Sequence, residues 1–309
     1  MIRNAGGWKR TILASFFMLL VASLGCNSYG SRLLSRDKND KALVDSHGTL
    51  PPPPSRYSFR IAPYVFLSDF EIDRNKPLFQ ELAKLRDRVY GDLHLPPTHS
   101  IVQVYLFENK ERYEEFMRAA YPDLPPRRAF FVQKPKPFGG SDDLLVYTYW
   151  GDRIQQDLRH ELTHALLHSV IRDVPLWLDE GLAEYFELPP SEQGINASHV
   201  ETLRRDFGDV FHPDLDRLER MKDVRDMKSA EYREAWLWTH WMMQANPETR
   251  AVLLAYLQEL RSKNNPSPLA QRLTVLAPNL NEAFKRHLDR LELPINARAV
   301  PLPTPSAPR

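Results

Sequence analysis

The segment His160-Glu161-Leu162-Thr163-His164 sets two imidazoles four residues apart with a carboxylate between them. On a helix, at about 100° per residue, the two histidines lie only about 40° apart around the axis. Their Cβ atoms then stand about 5 to 6 Å from each other, and one nitrogen of each ring can reach a single ion at about 2.0 to 2.1 Å. Glu161 sits about 100° round from His160, near such an ion but off the line of approach used by the histidines. That place suits a general base. Zinc lowers the pKa of a bound water from roughly 15.7 to about 7, and a carboxylate beside it can take the remaining proton as the water attacks a carbonyl carbon. The same carboxylate can then pass the proton to the departing amine.

The spacing predicts a helix over 153–170 with Asp152 as its cap and Gln155 in the capping-box place. Ile154, Leu158, Leu162, Ala165 and Leu166 share its apolar face, opposite the histidines. His168 continues the histidine row one turn further, about 6 Å along the axis, and reads as helix surface or cleft wall. After it, Asp173-Val174-Pro175 supplies a turn, and a second helix over 178–187 can return past the first.

A catalytic zinc site needs three protein ligands and an open position. Trp177-Leu178-Asp179-Glu180-Gly181-Leu182-Ala183-Glu184-Tyr185 is similar to the Trp-Leu-x-Glu-Gly-x-Ala-Glu-Tyr segment of aminopeptidase N-like enzymes. With His160 to Leu167, this run resembles the gluzincin metallopeptidases, and is more similar to the bacterial envelope proteins called peptidase MA-like than to the aminopeptidase branch. The resemblance implies a zincin-type domain, a Zn2+ cofactor and Glu180 as third ligand. Glu184, one turn after Glu180, could accept a hydrogen bond from the outer nitrogen of a ligating histidine, and Asp179 is a weaker candidate for that role. The Gly-Ala-Met-Glu-Asn motif that binds a free amino terminus in the aminopeptidases has no counterpart, and Gly139-Gly140 lacks the glutamate. Endopeptidase action is therefore expected.

Zinc peptidases also need a donor opposite the metal for the developing oxyanion. Tyr232-Arg233-Glu234-Ala235-Trp236, on a helix expected to be capped by Ser229, resembles the helix that carries the transition-state tyrosine of the aminopeptidase branch. Tyr232 is the candidate donor on that resemblance, with His240 two turns along as the fallback. The resemblance also implies that an extended substrate pairs with an edge strand beside the zinc helix, here Arg128 to Gln133. Two alternatives use the same residues: a non-catalytic envelope-binding protein that retains the fold, and a zinc hydrolase of a non-peptide amide or ester.

The elements that must position these groups divide by type. Strand signals at 58–67, 101–107, 128–133 and 144–149, with helices at 77–90 and 110–120, occupy the first half. Helical patterns over 197–207, 230–245, 248–262 and 279–292 follow the two zinc-motif helices, so an α+β fold is expected. Hydrophobic content of 42% is enough for a core, and Lys plus Arg at 41 against Asp plus Glu at 40 gives no electrostatic case for a nucleic-acid partner. The single cysteine excludes a Cys-rich zinc knuckle and an internal disulfide.

Residues 1–26 read as an export signal, with Lys9 and Arg10 before the apolar run Thr11 to Leu24. The end, Ala22-Ser23-Leu24-Gly25-Cys26, resembles the lipobox of bacterial lipoproteins and implies lipidation of Cys26, a membrane partner through that anchor and an envelope location. Simple cleavage, giving a soluble exported protein, is the alternative. Residues 27–56 read as a Pro-rich linker, 57–295 as the metallopeptidase domain acting on a peptide or protein substrate, and 296–309 as a disordered tail.

Overall fold

The computed structural model describes residues 50–136, 140–262 and 266–293. The export signal, Cys26, the linker as far as residue 49 and the tail 296–309 lie outside the described residues. Among the described residues no helix is long and apolar enough to cross a membrane.

Five strands form one mixed sheet in the order β1-β2-β3-β5-β4. These are β1 (Tyr57–Ile61), β2 (Tyr64–Ser68), β3 (Val102–Phe107), β4 (Ala129–Lys134) and β5 (Asp143–Tyr149). β2, β3 and β5 run parallel, while β1 and β4 pair antiparallel at the two edges. What the alternation suggested as one strand over 58–67 is a hairpin, broken by a turn at Ala62-Pro63 where proline cannot donate to a ladder.

The sheet is covered on both faces. Leu144 and Val146 of β5 point to the face occupied by α1 (Pro77–Asp92) and α3 (Ile154–His168). Leu145, Tyr147 and Tyr149 point to the other face, against Tyr113 and Phe116 of α2 (Lys110–Ala120). β5 is apolar almost throughout for that reason, as a strand buried on both sides must be.

Helices alone make the second half: α4 (Leu176–Phe186), α5 (Ala197–Asp206), α6 (Leu215–Arg220), α7 (Ser229–Gln244), α8 (Pro247–Ser262), α9 (Leu269–Leu276) and α10 (Leu280–Arg290). The fold is α+β, and its larger core runs without a break from Tyr64 in β2 to Leu288 in α10. α4 is packed between α3 and α7, which is why eight of its residues, Glu180 included, are buried. Gly181 makes that packing possible: a Cβ there would stand 2.3 Å from Thr239 Oγ1 and 2.5 Å from the Ala235 carbonyl. The two helices therefore touch backbone to backbone.

Two caps differ from expectation. Asp152 does not cap α3; the N-cap is Arg153, and Asp152 instead accepts from Arg128 at 3.0 Å, drawn across to the start of β4. Ser229 is the first helical residue of α7, and its end is closed by the Lys228 amide donating to Glu231 at 2.9 Å.

Candidate metal centre

α3 presents His160 and His164 toward α4, which answers with Glu180 from its second turn. One ligand atom from each of the three lies within 4.8 Å of the others. His160 Nε2 stands 3.4 Å and His164 Nε2 3.7 Å from Glu180 Oε2. Glu180 Oε2 is buried and has no hydrogen-bond partner. A buried carboxylate oxygen without a donor is costly, and two imidazole nitrogens aimed at the same spot leave a position that could hold a cation. The donor set, two nitrogens and one oxygen, suits zinc.

The opposite nitrogen of each ring is held from behind. His160 Nδ1 lies 2.8 Å from Glu187 Oε2, and His164 Nδ1 lies 2.9 Å from Asp179 Oδ1, the second an ion-pair contact more than an aligned hydrogen bond. Each contact places the proton on Nδ1 and turns Nε2 inward as the free donor. Burial opposes a charge on His160, yet the facing carboxylates of Glu180 and Glu187 hold its pKa well above the ordinary value. Burial likewise opposes His164, and Asp179 and Glu180 raise it. Asp179 and Glu180 are both held low by the facing histidines despite their burial. Four carboxylates and imidazoles thus neutralise one another, and a cation entering between them displaces protons.

The role expected of Glu184 is overturned. Its carboxylate turns to the other side of α4 and accepts from His199 Nε2 of α5 at 3.0 Å. The residue that does reach His160 is Glu187, one turn further along and outside the sequence-derived set. Asp179, the weaker expectation, contacts both His164 and, at 3.0 Å, His168 Nε2. His168 is buried and lines the cleft, and Phe131 of β4 stacks on His164 and His168 with ring centroids 6.3 and 5.5 Å away.

A cleft of about 480 Å3 opens onto this centre, with Glu161, Glu180, Phe130, Phe131, Leu176 and Val224 among its walls. Glu161 is half-buried there, and burial raises its pKa against the pull of the two histidines. β4 is an edge strand, so its outer backbone groups flank the cleft unpaired within the sheet.

Tyr232, in the first turn of α7, reaches the centre because α7 crosses α4 so closely. Its hydroxyl donates to Glu180 Oε1 at 3.4 Å, and burial raises its pKa. His240 does not share the cleft. Its Nδ1 lies 2.9 Å from His287 Nε2 of α10, in the core on the far side of α7, which removes it as an oxyanion donor.

Arg127, two residues before β4, was not marked by any pattern in the sequence. Its guanidinium donates to the Tyr232 hydroxyl and lies 3.8 Å from Glu180 Oε1. A pair of arginines after Pro125-Pro126 carries no spacing signal; only the sheet order brings Arg127 to Glu180.

A family model described as a protein of unknown function, DUF1570, matches residues 156–268, a span that contains His160, Glu161, His164, Glu180 and Tyr232. No curated protein matches the chain.

Proposed function

We propose that the protein is a zinc-dependent endopeptidase of the gluzincin, peptidase MA-like type. The observation that carries this reading is the convergence of His160 Nε2, His164 Nε2 and the unpartnered Glu180 Oε2, with Asp179 and Glu187 behind the rings and Glu161 beside them in an open cleft. Zinc, when bound by these three residues, polarises a carbonyl and acidifies water. Glu161 takes the proton of the attacking water and returns it to the leaving amine, a function favoured by a carboxylate whose pKa burial has moved toward neutrality. Tyr232 turns its hydroxyl from Glu180 to the oxygen that becomes negative. The free edge of β4 accepts an extended chain as an added strand. Export and lipidation of Cys26 would place this activity in the bacterial envelope, and mass spectrometry of the mature N-terminus distinguishes acylation from simple cleavage.

The test is Glu161→Gln beside wild type, with zinc content and cleavage of a denatured-protein library measured on both. The reading expects zinc retained and cleavage reduced by about 10²- to 10⁴-fold. Equal proteolysis by the variant would sink it. Zinc uptake with no cleavage by wild type would favour the binding protein that retains the fold.

A further inference from the structure

We infer that Arg127 is a positioning residue that gives the two oxygens of Glu180 different tasks and aims Tyr232, an inference that rests on the metal-centre reading above. The oxygens are unequal. Oε1 receives the Tyr232 hydroxyl at 3.4 Å and faces Arg127 Nη1 at 3.8 Å. Oε2 receives no hydrogen bond and faces the two histidine Nε2 atoms. A carboxylate with one oxygen engaged in this way offers the other alone to a metal, and one oxygen with two imidazoles leaves the open position that a catalytic site requires.

Arg127 also donates to the Tyr232 oxygen, and its guanidinium lies 5.6 Å from the centre of that ring. A cation donating into the lone pair of a hydroxyl strengthens its O–H as a donor, because hydrogen bonds in a chain polarise one another. The planar fork allows two nitrogens of one side chain to serve two partners, which an ammonium on a flexible stem cannot copy. Arg127 stands two residues before β4, and its guanidinium also lies 5.9 Å from the centre of the Phe130 ring at the strand's start, a contact that ties the fork to the sheet as well as to α4 and α7. Three elements that meet only in the folded chain are thereby tied at one carboxylate.

The experiment uses the full chain with Arg127→Gln, Arg127→Lys, Tyr232→Phe and the double variant Arg127→Gln/Tyr232→Phe. Zinc uptake, the visible spectrum after cobalt substitution, and steady-state cleavage of a labelled casein are measured on each. Arg127→Gln is expected to lower kcat by about 10- to 100-fold with KM nearly unchanged. It should also weaken the visible cobalt bands as Glu180 closes on the metal through both oxygens. In the Tyr232→Phe background the same change should cost kcat far less, since part of its action is already gone. Arg127→Lys, which keeps the charge, should fold as wild type and recover only part of kcat. Additive losses in the double variant, a loss confined to KM, or a cobalt spectrum and kcat equal to wild type would overturn the inference. If wild type takes up zinc and cleaves while Arg127→Gln matches it, only this inference fails; if wild type takes up no zinc, the metal-centre reading fails and takes this one with it.

Discussion

Two pairs of histidines lie inside this molecule, and they differ in what faces the remaining ring nitrogens. His160 and His164 are backed by Glu187 and Asp179, and carboxylates hold their pKa values up. His240 and His287 face each other, with the Gln193 backbone beside His240 and Arg290 near His287, and no carboxylate is among the groups that shift either ring. Burial, and then the charge of His287, pushes His240 down to about 3; burial, and then Arg290, pushes His287 down to about 4. Residue type is the same in the two places, and all four rings are buried except His160, which is partly so. The carboxylates make one pair a set of inward-facing donors and their absence makes the other a neutral packing unit.

Breaking the first pair should have the largest effect. His164→Ala is expected to lower zinc affinity by more than the roughly 100-fold that loss of an outer partner can cost. His240→Ala, by contrast, should leave zinc stoichiometry unchanged and lower stability by about 1–3 kcal/mol, because it strands His287 without a partner. Metal analysis and urea unfolding on the two variants read this contrast directly.

A smaller effect should follow from removing the backing charge alone. Asp179→Asn or Glu187→Gln is expected to weaken zinc binding by about 10- to 100-fold, measured by competition with a chelating indicator. Glu184→Gln should leave it within error of wild type, since that carboxylate serves His199. Equal losses from Glu184 and Glu187 would show that the face of α4 is misassigned.

Gly181→Ala tests the link between the two regions, because α7 carries Tyr232 at one end and His240 further along. The added methyl must push α7 away from α4, at a cost of about 1–3 kcal/mol. Thermal melting should report the loss and kcat should fall with it.

The smallest expected effect is the pH dependence of stability. A histidine buried neutral takes its proton near 6.5 in the unfolded chain and only near 3 or 4 in the folded protein, so acidification from 6.5 downward favours unfolding. Urea midpoints of EDTA-treated protein should fall between pH 7 and pH 5, and His287→Gln should flatten the slope. An unchanged slope would mean that the second pair is not neutral in the folded state.

Much of this is legible in the sequence, and the omissions share a cause. Local periodicity marks α1, α2, α3 and β5 to within a few residues, because each buries one face or both. It merges β1 with β2, whose turn lacks a glycine or asparagine, and it passes over α6 and α9, which are too short to show a period. In the candidate site, His160, Glu161 and His164 share one helix, and Glu180 is reached through the resemblance of the Trp177 to Tyr185 segment. Glu187 and Arg127 depend instead on the angle at which α4 crosses α3 and on β4 lying at the sheet edge, neither of which has a local signature. Glu184 shows the limit clearly: a spacing of four places it on the side of Glu180, yet packing against α5 claims it for His199.

The contact at Gly181 has an engineering consequence. Because α4 and α7 meet backbone to backbone, the interval between Glu180 and Tyr232 is set by two rods and is insulated from the chain that joins them. That chain ends in the stretch Met221 to Lys228, whose Lys222, Asp223, Val224 and Arg225 form one rim of the cleft. Val224 and Met227 are anchored in the core and Lys228 closes α7, so the outward-facing Lys222 and Arg225 are the rim positions that can be recoded while the interval between Glu180 and Tyr232 is kept, and under the proposed function they are where selectivity would be altered.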